Sequence, residues 1–168
     1  MSNVNTKSGN TGGLTKTVNV TPAISAGLYS ALENVGGVNE IADIMSSAGE
    51  TGILQTIKII DSSSTPQSAA LIVDVFSSQP STTGKIDNAA YAIQTTDKAM
   101  FLARISVTAD DYVNIGGVSI ATMTGLGIPI NSATGTASLW FSVATPTGST
   151  PTYSSTSALI FSFGVLCD

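Results

Sequence analysis

From Leu14 onward apolar residues recur at every second position, in short runs of β-branched and aromatic side chains bounded by Ser, Thr, Gly, Asn and Pro. A period of two places alternate side chains on opposite faces of a strand. In GILQTIKIID, Ile53, Gln55, Ile57 and Ile59 share one face, and Leu54, Thr56, Lys58 and Ile60 share the other. In AALIVDVF, Leu71, Val73 and Val75 oppose Ile72, Asp74 and Phe76. The intervening DSSSTPQS has turn chemistry, which predicts a hairpin or meander corner between these two strands. Phe101, Ala103, Ile105 and Val107 define another core face, and short strands are expected at 118–123 and 128–130. Two closing runs give core faces of Leu139, Phe141 and Val143, then Leu159, Phe161, Phe163 and Val165.

One segment departs from this period. In SAGLYSALENVGGVNEIADIMSS, Leu28, Leu32 and Val35 stand at helical spacing, and Ile41 and Met45 repeat it. The Gly36-Gly37 pair would cost a helix interior about 1 kcal/mol per glycine, so a strand with a loop is the better expectation. Residues 1–13 carry one Val after the initial Met among polar and glycine positions. They bury too little apolar area to offset ordering and predict a flexible N-terminal arm. The whole then reads as an all-β chain: an antiparallel β-sandwich, jelly-roll-like, formed by residues 14–168 as a single domain behind that arm.

Composition changes what this domain is expected to do. Charged residues make up 10% of the 168-residue chain and hydrophobic ones 42%, against about 25–35% charge on a solvated surface. Much of the exterior is therefore neutral Ser, Thr, Asn and Gly. Covering a hydroxyl that finds a new partner costs far less than stripping water from an unpaired Lys or Glu, so extensive contact with other chains is easy to arrange. An ordinary secreted or surface β-domain also fits this composition. A net charge of −5, with the basic residues scattered as Lys7, Lys16, Lys58, Lys85, Lys98 and Arg104, argues against nucleic acid as a partner. No apolar run approaches the roughly 18–20 residues of a membrane helix, so no membrane partner is expected. The first residues lack the basic and apolar regions of a signal peptide, and synthesis in the cytoplasm is the expectation.

The sequence offers few groups suited to catalysis or metal binding. There is no histidine, which removes the commonest general base and metal ligand and the Ser-His-Asp arrangement. Asp110-Asp111 is the one adjacent acidic pair, but neighbours on a strand face opposite sides and cannot converge on one substrate; a solvated turn is the better reading. Asp97-Lys98 predicts a turn at a strand entrance. Asp74 lies among apolar neighbours and is expected to face solvent or a subunit contact. Calcium loops, Cys/His metal spacings, the phosphate loop and the Gly-x-Ser-x-Gly elbow are missing from the sequence. GGVNE and GLGIP read as turns needing positive φ. Cys167 has no cysteine to pair with. Trp140 and Tyr29, Tyr91, Tyr112 and Tyr153 read as core or interface anchors rather than sugar-stacking rings. No residue is assigned a catalytic, cofactor-binding or metal-binding role, and the chain is not expected to be an enzyme.

Several local patterns together resemble a group of small tailed-phage virion proteins associated with capsid decoration or cement. They are a Gly-Gly step before VNEIADIM, the strand GETGILQTIKIID, AALIVDVFSSQPS leading into DNAAY, and the ending TPTYSSTSALIFSFGVLCD. The similarity covers Val35 to Tyr91 and Ala137 to Asp168. Met45 and Ser46 stand where many such proteins carry a basic residue, so no charge contact is carried over there. The resemblance implies a jelly-roll-like sandwich that forms a homotrimer on the capsid exterior and clamps neighbouring copies of the major capsid protein, within a virion assembled in the host. The alternative from the residues is a receptor- or glycan-binding module of a tail fibre or surface protein, which predicts an exposed Trp140 or Tyr153 on a concave patch.

Overall fold

A computed structural model describes residues 14–167. The arm expected at 1–13 lies outside the described residues. Within them the chain forms eleven strands and two short 3₁₀ turns: β1 (Leu14–Val20), β2 (Gly27–Leu28), β3 (Asn34–Ile41), β4 (Thr51–Asp61), β5 (Leu71–Phe76), β6 (Phe101–Val107), β7 (Tyr112–Ile115), β8 (Val118–Asn131), β9 (Leu139–Ala144), β10 (Thr152–Tyr153) and β11 (Leu159–Cys167), with the turns at Thr95–Asp97 and Ala109–Asp111. No helix among the described residues is long and apolar enough to cross a membrane.

Two sheets pack face to face. One has the order β1-β11-β4-β8-β7 and the other β3-β9-β5-β6, while β2 and β10 form a two-stranded ribbon. All their pairings are antiparallel. Four of these pairings are nested in sequence: β1 with β11, β3 with β9, β4 with β8, and β5 with β6. That is one long antiparallel ribbon rolled up so that successive strand pairs fall alternately in the two sheets, the connectivity of a jelly roll. The hairpin expected between 53–60 and 71–76 is not formed. β4 and β5 lie in different sheets, because each finds its partners far along the chain, and Ser62 to Ala70 carries the crossover. The helical alternative at 25–47 is also not taken: Gly36 and Gly37 adopt φ of +78° and +71° and shift the β3–β9 register between Val35 and Val38. That is a bulge, and glycine suits it.

The core contains the predicted faces of β5, β9 and β11 and, on β6, Ala103, Ile105 and Val107, with Phe141 stacked obliquely on Phe161 and Phe163 at centroid distances of 5.3 and 4.8 Å; Phe101, expected on the same face, is left outside this core by the register shift between Val75 and Phe76 and is partly exposed. On β4 the face assignment needs correcting. Leu54 is buried together with Ile57 and Ile59, although strict alternation puts it opposite them. The register of β4 against β8 shifts between Leu54 and Thr56, and β11 shifts against the same residues; the additional residue, Gln55, inverts the alternation. The strands expected at 118–123 and 128–130 are one strand, β8, whose Gly125 and Gly127 take positive φ.

Candidate interaction surfaces

The two outer faces of the sandwich differ in how they are covered. On the four-stranded sheet, Asp74 of β5 lies in a row with Ser142 of β9 and Arg104 of β6. Alternation turns this row outward, yet Asp74 is fully buried, because the long connection from Ser77 to Met100 folds back over it. Arg104 grips the carboxylate with two parallel bonds, Nε to Oδ1 and Nη2 to Oδ2, both at 2.8 Å. Tyr91, from the covering loop, donates its hydroxyl to Asp74 and lies 3.0 Å from Ser142 Oγ. Burial first, and then the bond to Asp74, push the Tyr91 phenol well above its ordinary value. The expectation that Asp74 faces solvent or a subunit is therefore overturned. An acid among apolar neighbours can be buried when a bidentate arginine and a phenol satisfy it.

The same loop closes on itself through a second buried pair. Lys85 and Asp97 have no exposed side-chain surface and form a salt bridge. Lys85 Nζ also donates to Ser81 O and Ala92 O and lies 5.7 Å from the Phe76 ring centre. Burial works to raise the Asp97 pKa, but the bond from Lys85 and those from the Ser81 and Gln94 amides outweigh it, leaving the carboxyl below its usual range. Asp97 does stand in a turn before β6, as expected; its partner twelve residues upstream gave no sequence signal. A third acid, Asp87, ties the loop to the start of the domain. It accepts from Ser25 Oγ at 2.5 Å, from Tyr29 Oη at 2.6 Å and from the Gly36 amide at 2.6 Å.

Asp110 and Asp111 sit in a solvated turn, as the sequence predicts. Asp111 accepts from the amide and hydroxyl of Thr108, which lower its pKa, so its carboxylate caps its own turn and does not converge with Asp110. Among the described residues no group of three or more His, Cys, Asp or Glu could hold a metal ion. Tyr29 and Tyr153 are buried against each other edge to face, with centroids 5.7 Å apart. Trp140 is partly buried on β9 beside Phe76 of β5. A cleft of about 400 Å³ between the loop and the sheet is lined by Leu32, Ile72, Tyr91, Ile93, Arg104 and Thr145. Cys167 is buried, its Sγ 3.5 Å from Ile44 O.

Among the described residues the outer face of the five-stranded sheet has no such cover. Cross-strand register aligns Ile160 of β11, Ile60 of β4, Ile120 of β8 and Val113 of β7 in one row. Val118 and Ile115 pair beside it. The next rows hold Ser162, Lys58 and Thr122, then Gly164, Thr56 and Thr124, continued on β1 by Asn19 and Thr17. Lys58 is the one charged side chain in these rows. At Gly164 a methyl group would collide with Thr56 Oγ1, so this part of the face is flat by necessity. A flat apolar and hydroxyl surface can be desolvated at low cost and offers area rather than chemistry.

No family model matches the chain, and no curated protein does. Among solved structures, a chain of Desmodium yellow mottle tymovirus is similar over 93% of this chain and 82% of its own, with 10% sequence identity and a TM-score of 0.28. Likeness at that level carries no argument, and the jelly-roll connectivity rests on the strand pairings alone.

Proposed function

We propose that this chain is a structural virion protein, a cement or decoration protein that stabilises the major capsid protein lattice of a tailed phage from the capsid exterior. One observation carries the reading. The outer face of the five-stranded sheet presents an apolar row flanked by hydroxyls with one charge, a surface suited to binding by shape and area. The jelly-roll connectivity and the burial of Asp61, Asp74 and Asp97 within the fold support it. Each contact is modest, and a symmetric oligomer on a repeating lattice multiplies it; a homotrimer is the assembly the sequence resemblance implies. The glycan-binding alternative loses one of its two candidate rings, since Tyr153 is buried against Tyr29.

The test is co-purification with assembled phage heads. The expected result is a copy number comparable to that of the shell protein, and heads lacking the protein should open at lower temperature. Heads that carry none of it, with unchanged heat stability on its removal, would overturn the proposal.

A further inference from the structure

The uncovered face ends at an unguarded edge. Natural edge strands are commonly protected by Lys, Pro, a bulge or a covering segment. At the other end of the same sheet, β1 carries Lys16, whose Nζ donates to the Asp43 and Met45 carbonyls. Among the described residues β7 has none of these guards. Its sequence, Tyr-Val-Asn-Ile, is uncharged, it pairs only with β8, and Val113 and Ile115 are 61% and 59% exposed. Gly116 and Gly117, with φ of +57° and +93°, form the two-residue turn into β8. In such a hairpin the closing pair, Ile115 with Val118, exchanges both backbone bonds, and the pattern alternates. The N–H and C=O groups of Asn114 therefore point away from β8, toward the free side, as does the Tyr112 C=O, while the Tyr112 N–H closes the preceding turn on Ala109 O.

We infer that β7 is a self-pairing edge: it joins β7 of a second copy antiparallel about a twofold axis at Asn114, making the two five-stranded sheets continuous. The register is self-complementary. Asn114 meets Asn114 of the second copy, where the outward backbone groups of both are aligned to bond. Val113 falls opposite Ile115 of the second copy, so the exposed β-branched side chains cover each other and the apolar row runs on across the axis. Tyr112 falls opposite Gly116 and Asp111 opposite Gly117, and a side chain added at either glycine would meet nothing within 4 Å. The acidic turn of one copy thus lies over the vacant glycine turn of the other, and no two like charges are brought face to face. An unrelated strand would supply the backbone bonds without this match. The inference does not depend on a capsid; a twofold contact of this kind links whatever assemblies the other surfaces form.

The experiment measures the mass of the full-length protein by sedimentation velocity over a wide concentration range. Asn114→Pro removes an amide that has no acceptor among the described residues of the monomer and in the pairing lies on the axis. It should halve the mass at a concentration where wild type is fully associated, with near-ultraviolet circular dichroism unchanged. Val113→Lys should do the same, and Val113→Lys combined with Ile115→Glu should restore the wild-type mass, since each introduced lysine then faces an introduced carboxylate across the axis. A wild-type mass that Asn114→Pro and Val113→Lys leave unchanged overturns the inference, whether the protein is a monomer or associates elsewhere. So does failure of the charge-paired variant to recover when it is folded.

Discussion

Replacing Lys85 with methionine tests whether the covering loop is held by its buried ion pair. Neither side chain of the pair has exposed surface, so the change strands the Asp97 carboxylate in a site that water does not reach. Removing one partner of a buried pair costs about 3–5 kcal/mol. Asp97 keeps its bonds from the Ser81 and Gln94 amides, both 2.9 Å, which places the expected loss near the lower end, at about 3 kcal/mol. Against a domain stability of about 5–15 kcal/mol the variant still folds. Asp97→Asn, which strands the ammonium instead, should cost a similar amount. The double variant removes both charges, and its loss should stay near that of one single variant rather than their sum. Urea titration followed by the fluorescence of Trp140, the single tryptophan, gives each value, with an unchanged slope as the check that compactness is preserved. Because the folded Asp97 pKa is lowered, its contribution is fully present above the unfolded carboxyl value of about 3.9 and is lost as pH falls through the folded value. The gap between wild type and Lys85→Met should be constant from neutral pH to about pH 5 and narrow below that. Losses that simply add in the double variant, or a Lys85→Met effect under about 1 kcal/mol, would refute the coupling.

Other expectations are as direct. Tyr91→Phe removes the donor to Asp74 while leaving the bidentate arginine, and should lower stability by about 1–2 kcal/mol in the same titration. Because the Tyr91, Tyr29 and Tyr112 phenols are raised in the fold, their contribution to stability should be fully present below the unfolded tyrosine value of about 10 and be lost as pH rises beyond it; Tyr91→Phe should show a shallower fall. Gly36→Ala puts a methyl group 2.5 Å from Pro22 Cβ at a φ of +78° and should destabilise by more than about 1 kcal/mol, lowering the thermal midpoint. Phe141→Ala opens the space between Phe161 and Phe163 and should cost about 3–5 kcal/mol.

The sandwich was legible in the sequence wherever one face of a strand meets the core. Leu71, Val73 and Val75, or Phe161, Phe163 and Val165, alternate with little ambiguity, and the structure buries each of them. Pairing was not legible, since which strand lies beside β4 depends on residues about a hundred positions away in β11. Gln55 hid the bulge, because nothing in a run of isoleucines marks an additional residue. The buried acids were misread for a related reason. Asp74 alone predicts exposure; with Arg104 and Tyr91 around it, burial is satisfied, and those partners come from a neighbouring strand and a loop. The uncovered face was foreseen only as a low charge fraction. Its apolar row exists because four strands happen to place Ile160, Ile60, Ile120 and Val113 in register, a fact that belongs to the pairing and not to any one segment.

The exterior is more neutral than the composition states, and the fold explains why. Asp61, Asp74, Asp97 and Lys85 are buried, Arg104 is turned onto Asp74, and Asp87 is bonded to Ser25, Tyr29 and Gly36. Charges already few in the sequence are thus drawn inward, most of them into the joints of the covering loop and Asp61 into the crossover after β4, where it accepts from the Ser63 and Gln67 amides, and there they hold irregular backbone in place. What is left outside on the five-stranded face is Lys58 among hydroxyls and aliphatics. Charge is what ordinarily keeps a β-rich surface and its edges from sticking to other chains. A fold that moves it inward gains a rigid cover for one sheet and leaves the other prepared for contact, and the physical cause of the two outcomes is the same.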